Sequence, residues 1–207
     1  GGRVLREDLE RFIGGAGATS AGAPRMARSA PRNAPTTPEE RVPFRGLRKK
    51  ISEKMRQSKD HAAHFTYVEE ADCTNLVEFR TLAKELGAER GIKVTYLPIV
   101  MKAMVAALRK YPILNASLDE EAGEIIMKNY YNISLSIQTD DGLTAPVIKD
   151  VGNKSILEIA KDIEDVVARA RAKKLTQDDF HGGSITLTNA GTIGGLFATP
   201  IINYPEV

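Results

Sequence analysis

The sequence is poor in the residues on which several common classes of protein depend. A single cysteine, Cys73, excludes an intramolecular disulfide and suits a reducing compartment. Tryptophan is absent, aromatic residues make up only 6% of the 207 residues, and no aromatic interleaves with the charges of the basic helix within 41–59 as a platform for stacked nucleic-acid bases would require. No apolar run approaches the ~20 residues that span a bilayer. We therefore expect neither a nucleic acid nor a membrane as a partner.

Motifs for metals and nucleotides are also missing. The three histidines, His61, His64 and His181, show no HExxH spacing and have no paired cysteines beside them. The glycine-rich stretch at 191–195 lacks the lysine of a phosphate-binding P-loop, and no GxGxxG loop occurs. None of the histidines lies in a recognisable catalytic triad. The sequence therefore predicts no metal site and gives no independent indication of a catalytic base.

Composition divides the chain into three parts. Residues 1–14 have the pattern of a short helix, but fourteen residues cannot bury a core of their own. Residues 15–38 hold seven alanines, four prolines and three glycines, with Met26 as the one large apolar residue, which predicts a mobile linker. We expect the remnant of another domain at 1–14, a flexible linker at 15–40 and a globular domain at 41–207.

Hydrophobic periodicity in the globular part predicts an α/β domain. Apolar residues at helical spacing predict helices near 47–55, 74–86, 97–108 and 156–170. The third is apolar nearly all round, so we expect it to be buried. Alternating or β-favouring runs predict strands at 64–71, 124–128, 132–139, 143–149 and 184–188. Asp140-Asp141-Gly142 is typical of a hairpin turn, and Pro146 indicates an edge, a bulge or the rim of an active site in the returning strand.

The last predicted strand is the strongest candidate for a binding site. Ser184, Thr186 and Thr188 alternate with Ile185 and Leu187, so three hydroxyls line one face and two aliphatic side chains line the other. Three glycines follow within the next few residues, and glycine allows a ligand to approach the main chain closely. From the residues alone this pattern predicts a site for an acyl or other small group, with no reaction assigned.

Several stretches resemble, in order, the dihydrolipoamide acyltransferase component of 2-oxo acid dehydrogenase complexes. GGRVLREDLERF resembles the end of a peripheral subunit-binding domain, the Ala/Pro-rich segment resembles the linker that follows it, and RVPFRGLRKKISEKM resembles the first helix of the catalytic domain. The resemblance continues through RGIKVTYLP, YPILNAS, the stretch from Asp141 to Ile148, and GGSITLTNAGTIGG followed by TPIINYPEV. Several motifs in the family's order are far more specific than any one of them.

The resemblance implies a fold, an assembly and partners. The fold is a chloramphenicol-acetyltransferase-like two-layer α/β sandwich with a mixed sheet, here incomplete at its C-terminus. The assembly is a homotrimer that builds a core of 24 or 60 subunits. The subunit-binding domain implies the decarboxylase and dihydrolipoamide dehydrogenase as partners, and we expect a bacterial-type cytoplasm or a mitochondrial matrix.

The resemblance also implies a reaction and the residues that serve it. The acyl group passes from acyl-dihydrolipoamide to coenzyme A through a tetrahedral intermediate, and the lipoyl group is carried by a separate lipoyl domain. The hydroxyl that stabilises the oxyanion falls on Thr188. Positions that bind coenzyme A fall on Arg80, Thr95, Gln138 and Asn189, although Gln138 stands where family members often have Asp.

One family motif has no counterpart in the sequence. The family's catalytic base is a histidine in an HRxxDG motif, and none of the three histidines fits it, so we assign no general base. Because the initiator methionine is missing too, we expect a truncated acyltransferase domain that is inactive alone. The alternative is a non-catalytic scaffold derivative of the family. The motifs favour acetyl or branched-chain groups only slightly over succinyl.

Overall fold

The computed structural model describes residues 39–140, 142–189 and 197–206, and residues Pro43–Val207 belong to one compact unit. Its helices are α1 Leu47–His61, α2 Thr74–Ala88, α3 Tyr96–Lys110 and α4 Ile156–Arg171, with 3₁₀ turns at Pro112–Leu114 and Gln177–Phe180. Its strands are β1 Ala116–Asp119, β2 Glu124–Met127, β3 Ile133–Leu135, β4 Ile137–Thr139, β5 Gly142–Thr144, β6 Val147–Ile148 and β7 Ile185–Leu187. The predicted remnant at 1–14, the linker at 15–38 and the glycines of 191–195 lie outside the described residues.

The strands form three small sheets, and the central one positions the candidate site. β1 and β2 form an antiparallel hairpin, β4 and β5 form a second, and the central sheet has the order β6-β3-β7. In it β3 pairs antiparallel with β6 and parallel with β7, so the mixed sheet is present. The parallel pair places Ser134 opposite Thr186 and Leu135 opposite Leu187.

Two predicted strands are each interrupted at one point. The run at 132–139 breaks at Ser136, between β3 and β4, and the run at 143–149 breaks at Ala145-Pro146, between β5 and β6. The breaks face each other, since the Leu135 amide donates to the Pro146 carbonyl at 2.8 Å. Proline has no N–H to continue the ladder, and the strand is interrupted at this residue. The predicted β4–β5 hairpin is confirmed, although Asp141 itself lies outside the described residues.

The core lies between the apolar face of the strands and helices α3 and α4. Its buried members include Met101, Val105, Ile133, Leu135 and Ile159. α4 begins with a capping box in which the Glu158 carboxylate accepts from the Ser155 amide at 2.7 Å. Interleaved helices and strands around one core agree with the predicted α/β class.

Two sequence predictions about burial and pairing are wrong. α3 is not buried all round: one face carries Pro98, Met101, Val105 and Leu108, and the opposite face is exposed. The run at 64–71 forms no strand and joins no sheet within the described residues. Phe65 and Tyr67 are 89% and 76% exposed, so the side chains that suggested a strand lie in solvent. Among the described residues, no helix combines the length and the apolarity that a membrane span needs.

The segment between α4 and β7 is held by the ion pair of Arg169 and Asp179, and the contribution of this pair to stability depends on pH. Arg169 donates to both Asp179 oxygens at 2.8 and 2.7 Å, and the Thr176 amide donates to the same carboxylate at 2.7 Å. These hydrogen bonds, Arg169 first, lower the pKa of Asp179 from 3.8 to about 2. The carboxylate therefore stabilises the folded state fully above pH 3.8, and this stabilisation is lost as the pH falls towards 2.

We expect Asp179→Asn to lower the free energy of unfolding by about 1–2 kcal/mol at pH 7. The lowered pKa of Asp179 means that the folded state stabilises the ionised carboxylate, and asparagine has no charge to be stabilised. Chemical denaturation at pH 7, 4 and 2.5 measures the difference between variant and parent. The difference should shrink towards pH 2.5. A difference that stays constant over this range would show that the Asp179 charge contributes nothing.

Candidate functional site

The candidate site is the polar face shared by β3 and β7. Because β3 and β7 are parallel and in register, alternate residues of both strands place hydroxyls side by side, with Ser134 opposite Thr186. At the next level, Ser136 Oγ and Thr188 Oγ1 lie 3.0 Å apart, within hydrogen-bonding distance. The predicted face of hydroxyls on β7 is therefore present, and β3 with the residue after it adds a second row of hydroxyls beside it.

The Glu206 carboxylate covers this face at the level of Ser134 and Thr186. Glu206 accepts hydrogen bonds from Ser134 Oγ at 3.0 Å and from Thr186 Oγ1 at 2.6 Å. Burial lowers the pKa of Lys128, while attraction to Glu206 acts in the opposite direction, and the Lys128 ammonium donates to the Gly183 carbonyl at 3.3 Å. Glu206 therefore anchors the segment 197–206 across the strands and leaves the Ser136–Thr188 level uncovered.

The end of α1 and the residues after it hold the same segment from the other side. The buried Ser58 hydroxyl donates to the Ile202 carbonyl at 2.6 Å, and the Ile202 amide donates to His64 Nε2 at 3.0 Å. His64 Nδ1 lies 2.9 Å from the Ala62 carbonyl, so this network assigns the proton to Nδ1 and leaves Nε2 as the acceptor. His61 stacks on Tyr204 with ring centroids 5.2 Å apart.

Between the anchored segment and β7 lies an open cleft of about 230 Å³. Its lining residues are Thr186, Thr188, Pro200, Ile201, Ile202 and Asn203. Thr188 is exposed to solvent at its edge. A second opening of about 440 Å³ lies nearby, between residues 65–69 and the same segment. The cleft offers a hydroxyl donor beside mainly apolar walls, which suits an acyl carbonyl.

Two of the predicted coenzyme A positions lie together on α2 and at the start of α3. The Arg80 guanidinium lies over the Tyr96 ring, 5.3 Å from its centroid, and Thr95 is the residue immediately before α3. Arg80 Nε is buried without a hydrogen-bond partner, and no carboxylate of the described residues forms an ion pair with Arg80. A cation without a countercharge is suited to binding a phosphate.

The other predicted positions lie on the sheet side. Gln138 is exposed on β4, and its Nε2 donates to the neighbouring Thr139 carbonyl at 3.3 Å. Asn189 is exposed and directly follows Thr188. Grouped by element, the predicted site residues form two groups: Arg80 and Thr95 at the helices, and Gln138 within β4 together with Thr188 and Asn189 directly after β7.

The three histidines serve structural contacts. His61 Nδ1 lies 2.9 Å from a Glu120 carboxylate oxygen, and His181 Nδ1 lies 2.6 Å from the Gln177 carbonyl. His64 bridges Ala62 and the anchored segment as described above. Within the part of the chain that the structure describes, no cluster of three metal-ligating side chains occurs.

Sequence reasoning missed the residues that build the cleft wall. Glu206, Ser58 and His64 hold the segment opposite β7, but Ser58 and His64 lie 144 and 138 residues from their partner Ile202. The one local signal was an acidic side chain within the otherwise uncharged stretch TPIINYPEV. A buried hydroxyl–carboxylate contact cannot be distinguished there from a surface glutamate.

We expect Gly183→Ala to release the anchored segment. A Cβ at this position would overlap Glu206 Oε1 and lie 2.5 Å from Ser134 Oγ, so the carboxylate would have to leave its two hydroxyl partners. The expected loss is about 1–3 kcal/mol of unfolding free energy, since buried polar groups would lose their hydrogen bonds. Chemical denaturation measures it in the parent and in a Glu206→Ala background, where the overlap with the carboxylate no longer exists and the added loss should be smaller. An equal loss in the two backgrounds would show that Gly183 is not required by Glu206.

Comparison with known proteins gives one consistent result. The model of the catalytic domain of the 2-oxoacid dehydrogenases acyltransferase family matches residues 36–207. The dihydrolipoyllysine-residue acetyltransferase component of the pyruvate dehydrogenase complex of Bacillus subtilis is 42% identical over 216 residues, covering 100% of this chain and 48% of that protein. The chain thus spans about half the length of the curated relatives it matches.

Solved structures agree with the sequence comparison. The dihydrolipoamide acetyltransferase of Azotobacter vinelandii superimposes with a TM-score of 0.78 at 37% identity, covering 82% of this chain and 70% of that chain. A structure of the cubic core of the pyruvate dehydrogenase multienzyme complex gives the same TM-score, identity and coverage. At this identity the similarity concerns the sequence as well as the fold.

Proposed function

The chain belongs to the 2-oxoacid dehydrogenase acyltransferase family, in its catalytic domain, and from this premise we propose that it transfers an acyl group from acyl-dihydrolipoamide to coenzyme A. The observation that carries the proposal is the exposed Thr188 hydroxyl at the edge of the cleft, beside a polar face that Glu206 otherwise covers. The acyl group we propose is acetyl, because the curated relatives are acetyltransferases.

In the proposed reaction the coenzyme A thiolate attacks the thioester carbonyl carbon. A new C–S bond forms, the carbonyl oxygen becomes an oxyanion, and its collapse breaks the C–S bond to the lipoyl group. The departing dihydrolipoamide sulfur takes up one proton in place of the one that the coenzyme A thiol has lost, so the exchange balances. Thr188 donates a hydrogen bond to the oxyanion, and one such donor typically contributes about 3–4 kcal/mol to lowering the barrier.

The contacts of the three histidines are consistent with a base that is none of them. His61, His64 and His181 each place Nδ1 within hydrogen-bonding distance of a protein oxygen. We therefore assign Thr188 a role in stabilising charge and no histidine of this chain a role in proton transfer.

Coenzyme A would be held at the two groups of predicted positions. The Arg80 guanidinium, without a carboxylate partner among the described residues, is suited to the phosphates of the nucleotide end, and Thr95 offers a hydroxyl nearby. Gln138 lies within β4 and Asn189 directly follows Thr188, and their amide groups would bind the pantetheine arm. The acyl donor is a lipoyl group on a separate lipoyl domain.

The proposed assembly is a chloramphenicol-acetyltransferase-like trimer that builds a 24-subunit cubic core, with a 60-subunit core as the other possibility. The similarity to a cubic core structure supports it. The unpaired segment at 64–71 supports it too, because its Phe65 and Tyr67 are exposed among the described residues. The decarboxylase and dihydrolipoamide dehydrogenase would be its partners, in a reducing compartment such as the bacterial cytoplasm.

An acyl-coenzyme A panel tests the proposal with the full-length protein. Transfer to dihydrolipoamide is measured from acetyl-, succinyl- and isobutyryl-coenzyme A, and assembly is measured by size-exclusion chromatography. We expect a large assembly and the highest kcat/KM with acetyl-coenzyme A. A large assembly without turnover of any of the three would instead identify a scaffold protein.

A further inference from the structure

We propose that Ser136 is a positioning residue for Thr188: it donates a hydrogen bond to Thr188 Oγ1 and so leaves the Thr188 proton directed at the reacting carbonyl. This inference rests on the proposed function, because it assigns a partner to the oxyanion donor. Residue 136 is not among the positions that the family resemblance identifies.

The main chain holds Ser136 in place from two sides. Its amide donates to the Leu187 carbonyl at 3.0 Å, which ties it to β7 next to Thr188. The preceding Leu135 amide donates to Pro146 at 2.8 Å, at the point where β3 gives way to β4. The 3.0 Å separation between Ser136 Oγ and Thr188 Oγ1 therefore follows from strand register.

The number of protons decides the direction of this hydrogen bond during the reaction. A hydroxyl has one proton to donate and two lone pairs that accept. Thr188 can donate to an oxyanion only if its proton is not already given to Ser136, so Ser136 must be the donor of the pair. A hydroxyl that accepts a hydrogen bond is also polarised to donate a stronger one.

Two other hydroxyls of the polar face already donate hydrogen bonds to Glu206. Ser134 and Thr186 both donate to Glu206, at 3.0 and 2.6 Å. Ser136 lies one level further along, beyond the carboxylate, and its hydroxyl is half-buried against Thr188. Of these three hydroxyls, Ser136 is the one in a position to orient Thr188.

Steady-state kinetics of the full-length protein test the proposal with Ser136→Ala, Ser136→Thr, Thr188→Ala and the double variant Ser136→Ala/Thr188→Ala. We expect Ser136→Ala to lower kcat about 10-fold with unchanged KM for both substrates, as for one lost hydrogen bond. Ser136→Thr should recover most of the rate. The double variant should be no slower than Thr188→Ala, because without Thr188 there is no hydroxyl to orient. Thr81→Ala is the control, since its exposed hydroxyl bonds only within its own helix.

Several results would overturn the proposal. Parent-like turnover of Ser136→Ala, together with a large loss in Thr188→Ala, would remove the role of Ser136 and leave the proposed function intact. Losses that multiply in the double variant would show that Ser136 acts independently of Thr188. A rise in KM at constant kcat would assign Ser136 to binding. A parent-like rate of Thr188→Ala would overturn both proposals.

Discussion

Replacing Thr188 by alanine is expected to lower the turnover of the full-length protein at least ~100-fold, because it removes the hydroxyl proposed to stabilise the oxyanion. The charge that Thr188 meets exists only in the transition state, so the loss should fall on kcat with little change in KM. Steady-state transfer between acetyl-coenzyme A and dihydrolipoamide measures both. Because Thr188 is exposed at the edge of the cleft, we expect the alanine variant to keep the fold of the parent.

Thr188→Ser is the matched control for this substitution. Serine keeps the hydroxyl and removes only a methyl group, so its rate should stay within a few-fold of the parent. Equal losses in the serine and alanine variants would point to packing of the methyl group. A parent-like rate in the alanine variant would end the oxyanion role of Thr188.

Replacing Arg80 by alanine is expected to raise the KM for coenzyme A about 10- to 100-fold while kcat stays nearly constant. A hydrogen bond between charged groups contributes about 1.5–3 kcal/mol, and the guanidinium has no carboxylate partner in the described residues to compete with a phosphate. Pantetheine, the thiol arm without the nucleotide, should be used equally well by variant and parent. The ratio of the two acceptors therefore isolates the phosphate contact.

Arg109→Ala provides the control for Arg80. Arg109 also lies over a tyrosine ring, 5.5 Å from the centroid of Tyr131, but it donates to the Gly152 carbonyl. Its removal should leave the KM for coenzyme A unchanged. If Arg80→Ala impaired pantetheine and coenzyme A to the same extent, Arg80 would support the fold and not the nucleotide.

The elements that the sequence predicts well carry their own signals. α4 has both an apolar stripe and the Ser155–Glu158 capping box, so its start and its buried face follow from a local pattern. The β4–β5 hairpin follows from its turn residues in the same way. The hydroxyl face of β7 follows from alternation alone, since successive strand residues point to opposite faces.

The features that the sequence did not predict depend on distant partners. The run at 64–71 has β-favouring residues, but a strand needs a neighbouring edge, and none pairs with it in the described residues. The break at Ser136 lies next to Pro146, a residue between β5 and β6 whose carbonyl accepts from the Leu135 amide. Glu206 becomes part of the site only because residues 134 and 186 lie side by side in the sheet. Thr188 itself was assigned a role through the family resemblance and not through physical pattern.

The central claim is that the Thr188 hydroxyl donates a hydrogen bond to the carbonyl oxygen of the acyl thioester. A structure of the assembled full-length protein with a bound, non-hydrolysable acyl-coenzyme A analogue tests it most directly. We expect the carbonyl oxygen of the analogue about 2.7–3.1 Å from Thr188 Oγ1, with Ser136 on the other side of that hydroxyl. An analogue bound in a productive extended form with its carbonyl beyond hydrogen-bonding reach of Thr188 would contradict the account.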